Sequence, residues 1–279
     1  MKRLAVLLTV FFSGTACAQF NLDRFNVNKL LDTARNVAKA TSDIGEPEEI
    51  QIGNDLAARL LGAARLVPDE GMQRYVNLVG RWLASQTERP DLPWRFGVLD
   101  APQVNAFAVP GGTVFITRGL LERLHSESEL AGVLAHEISH VLRKHHLKAI
   151  QKGAQTALAG QALSEAVKTS RTEVRDKLIG LGTETYARGL DKSDEYEADR
   201  LGIVIAARAG YDAYGLPAVL QTLAAMNAQD SALAMMFKTH PAPGDRLAAL
   251  AEKMQPTLDA YAAQPQLAER FLAELKKAR

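Results

Sequence analysis

Residues 136–140 read His136-Glu137-Ile138-Ser139-His140, inside a strongly helical pattern. Leu130, Val133, Leu134, Ile138, Val141 and Leu142 recur at three- and four-residue spacing, and Ser126 with Glu129 makes a capping box at the start. A chain with this segment must pack a helix that carries two imidazoles and a carboxylate among its apolar residues. Positions i and i+4 stand about 40° apart around a helix, so His136 and His140 project side by side. Two nitrogens then come within reach of one tetrahedral zinc ion. Glu137 stands about 100° further round, beside the ion, where it can take a proton from water held there.

Two imidazoles do not complete a site, because catalytic zinc needs a third protein ligand and an open fourth position. His146 lies six residues after His140, but the Gly that would turn the chain between them is missing. Nothing in Val141-Leu142-Arg143-Lys144 signals a turn, so the helix is expected to continue. On a continued helix His145 and His146 point away from the ligand pair, solvated or supporting the helix C-terminal end. His125, just before the cap, is expected to be structural. The better third ligand lies in Asp194-Glu195-Tyr196-Glu197-Ala198-Asp199. Glu195 and Asp199 share a helix face at i, i+4 spacing. The first suits a metal ligand; the second suits a carboxylate that orients a ligand imidazole through its free N–H. Taken alone, the segment would be a solvated acidic helix; the upstream histidines favour the metal.

The rest of the chain is organised around that helix. Pro47 and acidic neighbours open a helical stretch, PEEIQIGNDLAARLLG. Asp69 to Ser85 is a second, with Met72, Tyr75, Val76, Val79 and Leu83 at helical spacing. After the Arg89-Pro90-Asp91-Leu92-Pro93 break the period changes. Trp94, Phe96 and Val98 alternate as in a strand, and Val104–Val109 and Thr113–Thr117 are two more, joined by Pro110-Gly111-Gly112. After Arg118 the pattern is helical, with loops near 189–193, 210–214 and 238–244. Ala154–Val167 and Arg171–Leu181 are either a packed core pair or a cap over the cleft. No repeat is present, and the tail is shorter than one tetratricopeptide unit. The expected fold class is α+β, mostly helical, with a small antiparallel sheet beside the HExxH helix. One domain spans 47–253, between an N-terminal extension (19–46) and a C-terminal helical tail (254–279).

Four segments, in this order, resemble the M48 peptidases: NAFAVPGGTVFITRGLL (105–121), AHEISHVLRKHH (135–146), DEYEADRLG (194–202) and THPAPGDRLAAL (239–250). That family includes CaaX prenyl-protease, HtpX-like and exported bacterial branches, and the resemblance extends from about residue 50 to 250. It implies a zincin-type (gluzincin) metallopeptidase domain with one zinc per chain. The implied zinc ligands are His136, His140 and Glu195, with Glu137 as general base and Asp199 behind a ligand imidazole. Ser139 replaces a Gly frequent in the family, on a face turned from the metal. The resemblance also brings His240 and Arg246 near the active site, where either can hold an oxyanion or a substrate carbonyl. His240 can equally close the fourth zinc position as a latch, or belong only to the loop that starts a helix. Asn105, Ala106 and Phe107 look like the edge strand that pairs with an extended peptide substrate.

The expectation is a zinc-dependent endopeptidase. Glu137 takes a proton from water at the metal, the water attacks a peptide carbonyl, and Glu137 returns the proton to the leaving amine. Unfolded polypeptides are the expected substrates, misfolded or unassembled envelope proteins above all, with other envelope proteins as possible partners. Two other classes stay open. One is a zinc-binding, chaperone-like or latent protein with a plugged active site; the intact Glu137 argues against it. The other is a structural zinc protein closed permanently by His240. With 33 basic against 32 acidic side chains there is no electrostatic case for nucleic acid. A single cysteine excludes a disulfide scaffold and a cysteine-based zinc site.

Residues 1–18 carry the marks of a signal peptide. Lys2 and Arg3 precede an uncharged run from Leu4 to Phe12, too short for the ~20 residues of a spanning helix. Ala16 and Ala18 then suit cleavage before Gln19. Export to the periplasm follows as an expectation, with no transmembrane span in the mature chain. The alternative is a lipid anchor through Cys17, although Gly14 stands where a lipobox has Leu. Cleavage before Gln19 removes the cysteine, which suits an oxidising compartment.

Overall fold

The computed structural model describes residues 44–162, 178–180, 182, 188–227, 230–261 and 263–277. The expected signal peptide, Cys17 anchor and most of the 19–46 extension lie outside these, as does most of the 154–181 helical pattern.

The chain opens with α1 (Glu46–Ala63), which has Pro47 in its first turn and buries Ile52, Leu56 and Ala57. Helix α2 (Glu70–Ala84) starts where Asp69 accepts from Met72 N at 2.7 Å, and it buries Met72, Val76, Val79 and Leu83. Three strands follow: β1 (Arg95–Leu99), β2 (Ala106–Val109) and β3 (Thr113–Thr117). Next come α3 (Arg118–Leu121), α4 (Glu127–Leu142), α5 (His145–Ala162) and α6 (Lys192–Arg208). The chain continues through α7 (Gly215–Ala225), α8 (Ala234–Thr239), α9 (Pro243–Asp259) and α10 (Ala268–Lys277). The fold is α+β and mostly helical, as expected.

The sheet is mixed rather than antiparallel. Its order is β1-β3-β2, with β1 parallel to β3 and β2 antiparallel to β3. The chain reverses once between β1 and β2. It reverses again at Gly111 and Gly112, both at positive φ, and so returns parallel to β1. Because β3 inserts between the other two instead of lying outside β2, these parallel strands become neighbours. The outer edge of β1 is occupied: Val67 N donates to Val98 O at 2.9 Å, and the Gln73 and Asn77 side chains accept from Val98 N and Phe96 N. Among the described residues, β2 is the other outer strand of the sheet.

Helix α4 is buried on every face, from Glu127 to Leu142. It is enclosed by β2 and β3, α2, α6, α7 and α10. Its start follows the capping pattern in part: Ser126 Oγ accepts from Glu129 N at 3.2 Å, while the Glu129 carboxylate reaches His125 N at 2.7 Å. Glycine allows α6 to cross α4 closely. A Cβ on Gly202 of α6 would lie 2.8 Å from His136 N, so the two backbones nearly touch at the first histidine.

The C-terminal segment packs into the same body. Helix α9 runs through residue 254 to Asp259, and α10 buries Phe271 in the main core. Arg270 also pairs with the fully buried Glu127, which accepts from the Tyr75 and Tyr211 hydroxyls at 2.7 and 2.8 Å.

Candidate metal centre and cleft

Helix α4 presents His136 and His140 with their Nε2 atoms 3.0 Å apart. Helix α6 crosses it at Gly202 and brings Glu195 opposite the pair. Glu195 Oε2 lies 3.7 Å from His136 Nε2, and Oε1 lies 3.6 Å from His140 Nε2. His240, the residue after α8, places its Nε2 3.7 Å from Glu195 Oε2. Among the described residues these four offer one ligand atom each, all within 4.8 Å of one another.

The electrostatics suit a cation. Burial above all, and then neighbouring positive groups, lower the His136, His140 and His240 pKa values, so each imidazole is neutral with a lone pair to give. Burial holds the Glu195 carboxyl well above its ordinary range, and its Oε2 is a buried acceptor without a hydrogen-bond partner. An orphaned carboxylate oxygen facing neutral imidazoles is the donor set of a divalent transition metal, so the residues present fit zinc.

Behind His136 stands a second arrangement. His136 Nδ1 lies 2.9 Å from Asp199 Oδ1, one helical turn beyond Glu195. Asp199 is gripped by both Nε and Nη2 of Arg246, from the first turns of α9. Burial alone would raise the Asp199 carboxyl, but the Arg246 charge and the hydrogen bonds from Arg246 and His136 hold it well below the usual range. Asp199 is therefore an anion fixed on His136 Nδ1, leaving Nε2 for the centre. Arg246 Nη2 also lies 3.3 Å from His136 Nδ1, and Arg246 lines a small cavity with His136, Glu137 and His240.

Glu137 stands beside the centre. Burial pushes its carboxyl up to about 8, against the Arg246 charge and the Ala108 N–H of β2. With Glu195 and His240 it lines a cleft of about 310 Å³. Asn105, Ala106 and Phe107 also line it, as do Gly189, Leu190 and Met235. Asn105 Oδ1 is buried without a hydrogen-bond partner. Ser139 faces its own helix, donating to Ala135 O at 2.7 Å.

One expectation is overturned. Helix α4 does not continue through the second histidine pair: it stops at Leu142, Lys144 adopts φ 56°, and α5 begins at His145. His145 is thus folded back instead of pointing away. It is buried, with Nδ1 3.0 Å from His140 Nδ1. His146 is also drawn inward, its ring centroid 5.4 Å from that of His140, and it lines the cleft. A left-handed lysine is uncommon, and the bend carries no Gly or Asn to announce it.

Comparison with known proteins identifies the family. The model of peptidase family M48 matches residues 70–254. The chain is 31% identical over 224 residues to the beta-barrel assembly-enhancing protease of Yersinia pestis, covering 78% of this chain and 46% of that protein. It is 32% identical over 217 residues to the protein of that name in Escherichia coli K12, covering 76% and 44%. To the mitochondrial metalloendopeptidase OMA1 of Arabidopsis thaliana it is 28% identical over 188 residues, covering 67% and 37%. The chain spans less than half the length of each of these relatives. The family match takes in both crossing helices, the His240 loop and Arg246, and on that match the chain belongs to peptidase family M48.

Proposed function

We propose that this chain is a zinc-dependent endopeptidase that cleaves extended, unassembled polypeptides of the cell envelope. The observation that carries the reading is the convergence of His136, His140 and Glu195 with Glu137 in a cleft walled by an edge strand. Zinc held by the first three would supply Lewis acidity for the scissile carbonyl and bring water within reach of deprotonation at neutral pH. Glu137 is the proton carrier. Its buried carboxyl takes a proton from the attacking water and delivers it to the leaving nitrogen, and the Ala108 N–H fixes its orientation. Asp199, held by Arg246, keeps His136 in one tautomer, and in this reading Arg246 is a positioning residue that supports the same ring through Asp199 and by its own contact at 3.3 Å.

The β2 edge suits substrates by their backbone. Asn105, Ala106 and Phe107 offer a strand alongside which an extended peptide can lie, and Asn105 Oδ1 is an unsatisfied acceptor for a peptide N–H. Unassembled β-barrel strands are extended chains of this kind, and the names of the bacterial relatives point to the same class. The matching compartment is the periplasm.

A second reading concerns regulation of the same site. His240 stands within the ligand cluster on a loop, followed by Pro241 and Pro243, where a small movement changes its distance from the metal. His240 as fourth ligand would exclude water and keep the enzyme latent. The test of the whole reading is digestion of unfolded casein by zinc-loaded protein, with and without chelator, alongside His240→Ala. Chelator-sensitive cleavage that rises in His240→Ala supports both readings. Cleavage that survives full removal of metal rejects the enzyme assignment.

A further inference from the structure

The two ligand histidines are supported differently. His136 and His140 both turn Nε2 toward the centre, so each must be oriented through Nδ1. For His136 the partner is Asp199; for His140 it is another imidazole, His145 Nδ1 at 3.0 Å. An imidazole that offers Nε2 as a lone pair carries its proton on Nδ1. His140 must then donate, and His145 Nδ1 must accept. Neutral His145 accordingly has its own proton on Nε2, which faces Glu197 Oε2 at 3.4 Å and Asp194 Oδ1 at 3.8 Å. Glu197 is held in turn by Arg143 Nε at 3.0 Å.

The fold goes to some length to put His145 there. The left-handed Lys144 ends α4 and swings the next residue inward. Lys144 Nζ is tied at 3.0 Å to Glu49 Oε2. Glu49 is fully buried, and it also binds Arg89 and accepts from Gly111 N at 3.3 Å. The bend is therefore anchored to α1 and to the β2–β3 turn.

We propose that His145 is a positioning residue for the metal. By accepting from His140 Nδ1–H it fixes the tautomer and ring plane in which His140 presents Nε2, and Glu197 sets the tautomer of His145. The inference rests on the reading of His136, His140 and Glu195 as the metal ligands.

The test uses the full chain with Glu137→Gln to prevent self-cleavage, and compares His145→Asn with His145→Leu. Asn keeps an acceptor at the place of Nδ1; Leu removes it. Zinc affinity is read by competition with a chromophoric chelator at neutral pH, and folding by thermal melting of the metal-free proteins. The Leu variant is expected to bind zinc about 10–100-fold more weakly. The Asn variant should stay within a few-fold of the parent. Equal weakening in both, or none in Leu, overturns the proposal. If Leu does not fold, ¹⁵N-histidine spectra of the zinc-loaded parent decide. Coupling between the two Nδ1 nuclei with His145 Nδ1 unprotonated supports the proposal, and a protonated His145 Nδ1 overturns it. Failure of the parent itself to bind zinc would instead overturn the metal reading beneath it.

Discussion

Gly202→Ala tests how the two helices that carry the proposed ligands are held together. The added Cβ would stand 2.8 Å from His136 N, 3.0 Å from His136 Cα and 3.2 Å from Ala135 C. All three are backbone atoms in the middle of a buried helix, so no side chain can rotate aside. To restore ordinary contact, α6 must move from α4 by about 0.6 Å or more. Overpacking of this kind costs about 1–3 kcal/mol. Replacing Gly by Ala within a helix returns up to about 1 kcal/mol. The net expectation is a loss of up to about 3 kcal/mol, or a melting temperature lower by up to roughly 12 °C in the metal-free protein. The same displacement carries Glu195 away from His136 and His140, so zinc affinity should fall about 10–100-fold. Gly62→Ala is the control: Gly62 is in α1 with nothing near the added atom, and the change should stabilise by about 0.4–1 kcal/mol. Thermal melts and chelator competition on both variants provide the readout. A Gly202→Ala protein as stable as its parent, with unchanged zinc affinity, would refute the close-crossing argument.

Glu195→Ala should lose zinc to a mild chelator far more readily than Glu197→Ala, because Glu195 faces the centre directly; equal metal retention would reverse the choice of ligand. Arg246→Ala should destabilise by about 3–5 kcal/mol in denaturant titration, since it leaves Asp199 as a buried, uncompensated anion. Restoration by the further change Asp199→Asn would attribute that loss to the stranded charge. Removal of metal should also expose a pH dependence. The Glu195 carboxyl is raised by burial, so its contribution to stability is complete below the ordinary Glu pKa and is lost as pH climbs through its raised value. Metal-free Glu195→Gln should therefore lose less stability than metal-free parent as pH rises above about 4.3. Parallel curves from urea titrations across that range would contradict this.

The centre was legible wherever it depended on helical spacing. His136 and His140, and likewise Glu195 and Asp199, are i, i+4 pairs, and that spacing set which side chains share a face. The loop at 238–244 was marked by its prolines, but His240 within it was singled out only by the resemblance to the family. Periodicity was weaker where contacts decided the outcome. Helix α4 shows an apolar stripe in sequence, yet all its faces are covered. Strand direction was misread because hairpin signals give reversals but not the order of strands in the sheet. The bend at Lys144 was invisible because the anchor that holds it, Glu49, lies almost a hundred residues earlier. Arg246 was noticed by resemblance, but the atoms it touches, both carboxylate oxygens of Asp199 and Nδ1 of His136, were not legible in the sequence.

The most direct measurement concerns Glu137. Parent and Glu137→Gln proteins, each carrying His240→Ala so that the fourth position is open, should be loaded with zinc, analysed for metal content and incubated with an unfolded polypeptide. One zinc per chain is predicted in both, with cleavage in the parent and a loss of turnover of at least about 10²-fold in Glu137→Gln, because the ligands remain and only the proton carrier is gone. Undiminished cleavage by zinc-loaded Glu137→Gln would contradict the assignment of this carboxylate, and with it the proposed chemistry of the site.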